Sequence, residues 1–390
     1  MNRRRGIAAL TVLLICESGC GGAKSEPPAT TPTAPPTAQP TAPPPASPTS
    51  GTAAVRDQIL AYLSSLPSQS GNRVLSGQHA GDSQIEINPF SAKNGYANFV
   101  TALQASTGKL VALVGVGYDA LDPTAAPLAN LLNVNKVVRT HWNAGGLVEI
   151  GYAAHNPWTR GMCSDTATLG HVLSDAVTPG TAANAVWMRQ LDDIAAALAD
   201  LQSSGIVVLW RPFHEFNGNW FWWGAASDGS QYVQLWQQMH DYFTNTKKLD
   251  NLIWVWAGSR QQGTMPPLTR YYPGDAYVDV VGFDMYVDVF DQPAINAYNT
   301  LLGYGKPFAL AEYGPTTNTT ATTGTLDYAT LMGQIRTLMP KTVYFRAWSD
   351  YIGPAGNRYW SLIGNRNTGA LLADPWVVTA DEVPRFGRLP

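Results

Sequence analysis

Eight short apolar segments, separated by longer stretches, run through most of this 390-residue chain. Each segment is rich in Val, Ile, Leu, Phe or Trp and is bounded by Gly, Pro or polar residues, which is typical of buried β-strands. Continuous apolar strands of this kind favour a parallel sheet that is covered on both faces. The predicted strands are 73–76, 110–116, 147–151, 206–211, 252–257, 278–283, 308–312 and 343–348.

Stretches with helical periodicity lie between most of the predicted strands. In the run 187–198, for example, apolar residues recur at intervals of three and four. Eight strands with intervening helices predict an α/β fold, a (β/α)8 TIM barrel, rather than an open doubly wound sheet. No Gly-rich phosphate-binding motif opens the first helix, which disfavours a dinucleotide-binding fold. The predicted helices are 53–66, 127–141, 183–203, 230–246, 292–302 and 326–338.

The first residues are typical of an export signal rather than of a folded domain. A basic segment, 3–5, precedes an apolar stretch, 7–15, that is too short to span a bilayer. We therefore predict a signal peptide at 1–20 and a secreted or cell-envelope location in a bacterium. Cys20 resembles the lipidated cysteine of bacterial lipoproteins, although Glu17 stands where that pattern has an aliphatic residue. Lipidation of Cys20 would be the one attachment to a membrane.

A spacer and a single large domain follow the signal. Residues 21–52 are dominated by Pro, Thr, Ala and Ser and predict an extended, disordered linker that buries no core. After residue 20 the one cysteine is Cys163, so the domain at 53–390 must be stabilised by its core and not by disulfides. On length alone this part could form one large domain or two small ones, and the barrel pattern favours one.

The charge balance bears on the class of partner. The net charge is −3 without basic clusters, which argues against nucleic acid. Charged residues make up 14% of the chain, below the ~25% that is typical of globular proteins. Aromatic residues make up 11% and are weighted toward Trp and Tyr. We expect a monomer that acts on a neutral polymer.

The segment Trp210–Gly224 directly follows predicted strand four and contains four of the thirteen tryptophans. A carboxylate beside a histidine, with tryptophans just beyond, suits sugar chemistry. The carboxyl group of Glu215 would donate a proton, and flat apolar rings stack on pyranose faces. The alternative is structural, with Glu215 paired to Arg211 and the tryptophans in a core.

A second glutamate, Glu312, ends predicted strand seven after a strictly apolar run. In a TIM barrel the active site lies at the C-terminal ends of the strands, so Glu215 and Glu312 would face the same opening. A retaining glycosidase needs two carboxyl groups about 5–5.5 Å apart, one acid/base and one nucleophile. A buried Glu312 with a structural role would need a dedicated partner. The pair favours a glycosidase.

These motifs resemble those of glycoside hydrolase family 26 between about residues 73 and 348. The resemblance implies a TIM-barrel endo-β-1,4-mannanase that hydrolyses mannan or glucomannan with retention and needs no metal or organic cofactor. The family also contains β-1,3-xylanases and mixed-linkage β-glucanases. A non-catalytic polysaccharide-binding lipoprotein is an alternative from another class. The motifs that carry the resemblance are 74–79, 210–224, 282–286 and 311–314.

The resemblance also implies roles for single residues. Glu215 matches the general acid/base and Glu312 the nucleophile, while Arg211 is expected to fix carboxylate geometry from behind. Tyr286 matches a tyrosine that hydrogen-bonds the nucleophile, and Trp348 matches the tryptophan that floors the −1 subsite. The residues expected to bind substrate are His141, Trp158, His214, Trp220, Tyr286 and Trp348.

Some positions leave alternatives open. Trp158 is placed in the cleft from its loop context, and a core tryptophan under a surface loop is the alternative. Trp222 and Trp223 are expected to pack behind the 210–224 block and not to touch sugar. Ser349 follows Trp348 where several mannanases have an arginine, which weakens any transfer of outer-subsite specificity.

Overall fold

The computed structural model describes residues 51–82, 92–119, 127–166, 172–224, 229–352 and 356–387. The predicted signal peptide, Cys20 and all but the last two residues of the predicted linker lie outside these ranges. Within the ranges no helix is long and apolar enough to cross a membrane.

Eight parallel strands form a closed barrel, as predicted. Each strand pairs with the next along the chain, and β8 pairs with β1 to close the ring. A ninth, short strand pairs with the first residues of β1. The strands are β1 Val74–His79, β2 Leu113–Gly117, β3 Leu147–Tyr152, β4 Val208–Pro212, β5 Leu252–Ser259, β6 Val280–Tyr286, β7 Phe308–Gly314, β8 Thr342–Ala347 and β9 Val377–Val378.

Helices connect the strands on the outside of the barrel, and the segments 96–101 and 242–246 are wound as π-helix. The first helix starts two residues before the predicted domain boundary. The helices are α1 Gly51–Ser65, α2 Ala92–Gly95, α3 Ala102–Thr107, α4 Pro127–Asn143, α5 Ser174–Val177, α6 Ala182–Ser203, α7 Ser230–Asp241, α8 Gln292–Leu302, α9 Ala329–Leu338 and α10 Thr368–Leu372.

Helix α6 shows how the outer layer is held. The Thr181 hydroxyl accepts a hydrogen bond from the Asn184 amide and caps the helix N-terminus. Trp187, Leu191 and Leu198 recur on one face and are fully buried. Each contributes about 1.5–3 kcal/mol through removal of apolar surface from water. The periodicity of the sequence therefore orients this helix against the barrel.

Helix α1 lies at the N-terminal ends of two strands. The Arg56 guanidinium donates to the Leu252 carbonyl at the start of β5 and to the Asp279 carboxylate just before β6, both at 2.7 Å. Ile59 and Leu63 of the same helix are fully buried. Helix α1 therefore packs at the N-terminal end of the barrel. The polar residues described next lie at the opposite end, where the strands have their C-termini.

Candidate active site

Glu312 is aimed by an irregularity in strand β7. Between β6 and β7 the register shifts after the pair Phe283–Leu310, so that the next pair is Asp284–Glu312 and Ala311 is the extra residue. Such bulges bend a strand and redirect its side chains, and they are common next to active sites. The carboxyl groups of Asp284 and Glu312 are both buried at this level of the barrel.

Three hydrogen-bond donors converge on the Glu312 carboxylate. Oε1 accepts from Arg211 and, at 3.2 Å, from Arg346, while Oε2 accepts from the Tyr286 hydroxyl at 2.6 Å. Burial by itself raises the pKa of Glu312, but the two guanidinium charges and the tyrosine hydrogen bond outweigh it and lower the pKa to about 2. Glu312 is therefore ionised at neutral pH, as a nucleophile must be.

Glu215 follows β4 in a turn with unusual backbone geometry. Phe213 has a φ of 49° and Glu215 a φ of 53°, a left-handed conformation that is uncommon for residues other than glycine. The Glu215 amide donates to the Ala257 carbonyl of β5 at 3.1 Å, which holds the turn against the next strand. Strain of this kind persists where surrounding contacts enforce it, and it is concentrated at functional sites.

The environment of Glu215 is opposite to that of Glu312. Burial, followed by the negative charge of Glu312, raises the pKa of Glu215 to about 8, although a hydrogen bond from Trp220 opposes the shift. The Trp220 indole N–H donates to Glu215 Oε2 at 2.6 Å. Gly218 leaves the space that the Trp220 ring fills, because a Cβ at that position would collide with the ring. A protonated acid thus lies near an ionised one.

Two buried arginines hold the carboxylates in place. Arg211 of β4 bonds Asp284 at 3.0 Å as well as Glu312, and its Nε forms an ion pair with Oε1 of Glu149 at 3.1 Å. The Nε of Arg346, on β8, lies at the same distance from that Glu149 oxygen. The three acids come from three different strands, so the guanidinium groups tie β3, β6 and β7 together inside the barrel. Arg211 therefore links Glu312 to two other buried acids.

His214 lies beside Glu215 with its ring edge against Phe221, at a centroid distance of 5.0 Å. Burial and then the Arg211 charge lower the pKa of His214 to about 3, so the ring is neutral. Its Nδ1 atom is buried and has no hydrogen-bond partner among the described residues. A neutral imidazole keeps one donor and one acceptor nitrogen.

One group in the described part of the chain could offer ligands to a metal ion: single ligand atoms of His214, Asp284 and Glu312 lie within 4.8 Å of one another. Both carboxylates already bond the Arg211 guanidinium. A fixed positive charge at that position repels a divalent cation. The donor set thus suits Arg211 better than a metal.

Trp348 and Tyr286 border the same region from two sides. Trp348 follows β8, is half-buried and lies 3.9 Å from the His79 ring, nearly parallel to it. Tyr286 ends β6 and makes an edge contact with Trp360 at 5.8 Å. With Glu215, Glu312, His214 and Trp220, these two residues surround the C-terminal mouth of the barrel.

The prediction that His141 contacts substrate is wrong. His141 is in the last turn of α4, is fully buried, and its ring lies against Tyr96 and next to Gly146. Gly146 precedes the N-terminal end of β3, whereas the mouth of the barrel lies at the other end of that strand. Of the two histidines that flank β3 in the sequence, His155 is the one that follows its C-terminal end.

Trp158 lies in the loop after β3, on the side of the barrel mouth. It is half-buried, and its ring makes an edge contact with Trp222 at 5.6 Å. Trp222 and Trp223 are buried and donate their indole N–H groups to the carbonyls of Ala154 and His214. These two rings pack behind the 210–224 block, in agreement with the prediction from the sequence.

Several residues of the site were given no role by the reasoning from sequence, although all but Glu149 lie at the predicted strand ends. Glu149 is inside the apolar run of β3, where a buried charge signals a partner but does not name it. Arg346 and His79 are on strands at opposite ends of the chain, which only barrel closure brings together. Asp284 lies in the motif 282–286, at the end of the apolar stretch of β6, but its pairing with Arg211 was not predicted.

A pair of aspartates lies on the side of β1 and β2. The carboxyl groups of Asp82 and Asp119 both approach Gly117, so closely that a Cβ there would collide with them. Burial raises the pKa of Asp82 to about 7 and, together with the charge of Asp82, the pKa of Asp119 to about 8. These acids add to the carboxyl-rich wall of the mouth.

Comparisons with known proteins agree with this geometry. The profile of glycosyl hydrolase family 26 matches residues 49–382. The chain is 32% identical to a mannan endo-1,4-beta-mannosidase of Bacillus subtilis, covering 83% of this chain and 85% of that protein. It is 32% identical to the mannan endo-1,4-beta-mannosidase A and B of Caldalkalibacillus mannanilyticus, covering 83% and 60%. The solved structure of a B. subtilis mannanase is similar with a TM-score of 0.72 and 31% identity, covering 86% of this chain and 95% of that one.

Proposed function

The chain belongs to glycosyl hydrolase family 26, and we propose that this glycoside hydrolase is an endo-β-1,4-mannanase that cleaves internal bonds of mannan or glucomannan with retention of configuration. The relatives named above are mannan endo-1,4-beta-mannosidases that align over most of the chain, which supports the substrate. The barrel mouth supports the mechanism, because it presents two glutamates in opposite protonation states.

The reaction has two displacements. Protonated Glu215 gives its proton to the departing glycosidic oxygen while the Glu312 carboxylate attacks the anomeric carbon and forms a glycosyl ester. The ester removes the negative charge of Glu312, so the pKa of Glu215 falls and its carboxylate takes a proton from water. The proton leaves that water as its oxygen attacks the anomeric carbon, and the ester bond to Glu312 breaks.

The main support for this proposal is that the two glutamates have different hydrogen-bond donors. Glu312 is bonded by Arg211, Arg346 and Tyr286, which stabilise its negative charge. Glu215 has Trp220 as its hydrogen-bond donor and is buried near that charge. Pairs of titratable groups whose surroundings push their pKa values apart are typical of acid and nucleophile in glycosidases.

A panel of polysaccharides tests the proposal. The purified chain is incubated with β-1,4-mannan, glucomannan, β-1,3-xylan and mixed-linkage β-glucan, and reducing ends are measured over time. The anomeric configuration of the first product is recorded by NMR. We expect release from the two mannans and a first product with the β configuration. Release of reducing ends only from the xylan or only from the glucan would show that the chain is a β-1,3-xylanase or a mixed-linkage β-glucanase. Binding of a polysaccharide without release of reducing ends would show that the chain is a non-catalytic polysaccharide-binding protein.

We also propose that the chain is exported as a monomer and held at the cell envelope through a lipid on Cys20. The basic and apolar character of residues 1–20 and the Pro/Thr-rich residues 21–52 support export and a spacer. Mass spectrometry of the mature N-terminus from a membrane fraction tests this. A diacylated Cys20 is expected, and a Cys20→Ala variant should be found in the soluble fraction.

A further inference from the structure

His79 and Trp348 form a stacked pair at the mouth of the barrel. Their ring centroids lie 3.9 Å apart and the ring planes differ by 8°. The pair follows from the closure of the barrel, because Gln78 of β1 is in register with Ala347 of β8 and the next residues are neighbours. His79 is 2% exposed, whereas Trp348 is half-buried, so the histidine lies behind the tryptophan.

Hydrogen bonds hold the His79 ring at both nitrogens. Arg346 lies 2.6 Å from Nδ1, and since a guanidinium can only donate, Nδ1 accepts and the ring proton is on Nε2. Nε2 then donates to Asp82 Oδ1 at 3.2 Å. Burial, followed by the Arg346 charge, lowers the pKa of His79 well below its usual range. The ring is therefore uncharged, of one tautomer and unable to turn.

We infer that His79 is a positioning residue that fixes the plane of Trp348 as a platform for the sugar undergoing attack. The inference deepens the proposed function and rests on it, because the Trp348 face needs a pyranose ring to stack on. The Trp348 backbone is held by the Tyr313 carbonyl at 3.2 Å and by the Gln78 side chain at 3.0 Å, so the plane of its ring depends on side-chain contacts. The clamped histidine supplies the missing constraint on one face and leaves the other face for substrate.

A second route from His79 to the chemistry must be separated from the first. Arg346 bonds Glu312 Oε1 at 3.2 Å, and its guanidinium carbon lies 5.0 Å from the centroid of the Trp348 ring. Loss of His79 could therefore disturb the Glu312 carboxylate through Arg346 without involving Trp348. The two routes differ in what each needs from His79, since stacking needs a flat ring and the Arg346 route needs a polar acceptor.

Two substitutions divide these requirements. His79→Phe keeps a flat ring and removes both hydrogen bonds, whereas His79→Gln keeps a polar acceptor and removes the ring. Positioning by stacking predicts that His79→Gln lowers kcat/KM by about tenfold while His79→Phe stays within about threefold of the wild type. The reverse order would overturn the inference and assign His79 to Arg346 and Glu312. Thermal unfolding of both variants shows that each is folded at the assay temperature.

A double-mutant cycle gives the second test. In a Trp348→Ala background the His79→Gln change should lower kcat/KM by less than about twofold, because the ring that it positions is gone. An undiminished tenfold effect in that background would contradict the inference. The assay uses the polymer of the panel that the wild type cleaves fastest, so a wrong substrate is recognised before any variant is compared. The dissociation constant for mannohexaose, measured by calorimetry in a Glu312→Ala background that cannot turn over, gives the same comparison for binding alone.

Discussion

The indole N–H of Trp220 donates to Oε2 of Glu215 at 2.6 Å. This bond stabilises the ionised form of a carboxyl group that burial and Glu312 otherwise keep protonated. Trp220 therefore keeps the pKa of Glu215 lower than its surroundings alone would make it. The residue that was predicted from sequence to line the sugar cleft is in contact with the proposed acid/base, Glu215.

We expect Trp220→Phe to move the basic limb of the kcat/KM profile to higher pH by about 0.5–1 unit, because a lost hydrogen bond to the carboxylate raises the pKa of Glu215. Initial rates on mannan between pH 4 and 10 measure the shift. Trp222→Phe is the matched control, since its indole bonds the Ala154 carbonyl and no carboxylate. A limb that moves to lower pH would show that the bond does not stabilise the charged form.

Removal of the Tyr286 hydroxyl tests the nucleophile. Tyr286→Phe should raise the pKa of Glu312 from about 2 and move the acidic limb of the profile upward, since one donor to the carboxylate is lost. We expect kcat to fall by about 10- to 100-fold. Tyr118→Phe removes a hydroxyl that bonds Asn135 in the outer layer and serves as control. An unchanged kcat in Tyr286→Phe would mean that the bond has no part in the reaction.

The roles of the two glutamates can be separated by chemical rescue. Glu312→Ala should abolish turnover, because the covalent intermediate cannot form. Glu215→Ala should lose activity on mannan but keep it on an aryl glycoside with a good leaving group, where azide accelerates release of the glycosyl-enzyme as a β-mannosyl azide. Product analysis by NMR identifies the azide adduct. Near-wild-type activity of Glu312→Ala on mannan would disprove its assignment as nucleophile.

Loss of the Arg211 guanidinium should destabilise the fold. Arg211→Met leaves Glu149, Asp284 and Glu312 without their shared partner, and breaking a buried ion pair costs about 3–5 kcal/mol. Urea denaturation of each variant and of the wild type gives the free energy of unfolding. The control is Arg139→Met, which breaks a partly exposed pair with Asp200 and should cost less than about 1 kcal/mol. Equal losses of unfolding free energy in the two variants would show that the buried network stabilises the fold no more than a partly exposed ion pair does.

The raised pKa of Glu215 makes stability depend on pH. Between its ordinary value, about 4.3, and the folded value of about 8, Glu215 takes up a proton on folding, so the wild type loses stability as the pH rises through this window. Glu215→Gln needs no proton. We expect its melting temperature to exceed that of the wild type by a few degrees more at pH 8 than at pH 5. A difference that is the same at both values would contradict the raised pKa.

Periodicity in the sequence predicted the barrel well. The eight predicted strands overlap the observed ones. The ends differ by a few residues, because apolar runs begin before β2, β4 and β6, and because β1, β5, β6 and β7 continue past the predicted runs at their C-terminal ends. The 230–246 prediction missed one detail, since the helix ends at Asp241 and continues as π-helix to Thr246. Alternation of strand and helix is a local property, so it can be recognised without knowledge of the partners.

Contacts between distant residues could not be predicted in the same way. His141 was assigned to the cleft from its position before β3. A helix that precedes a strand ends near the N-terminal end of that strand, which is the side of the barrel away from the mouth. Glu149 is surrounded by apolar residues in the sequence, and Arg346 and His79 are 267 residues apart. Their association requires the ring to close, and no local pattern encodes which side chains then meet.

The sequence by itself determined which acids are available, that they end parallel strands, and that aromatic rings accompany them. These are consequences of residue type and of strand direction. Tertiary structure alone decided that Glu215 keeps its proton and Glu312 does not, because the pKa of each depends on burial and on charges from other strands. It also decided that His79 lies behind Trp348, because β8 closes on β1 only in the folded barrel.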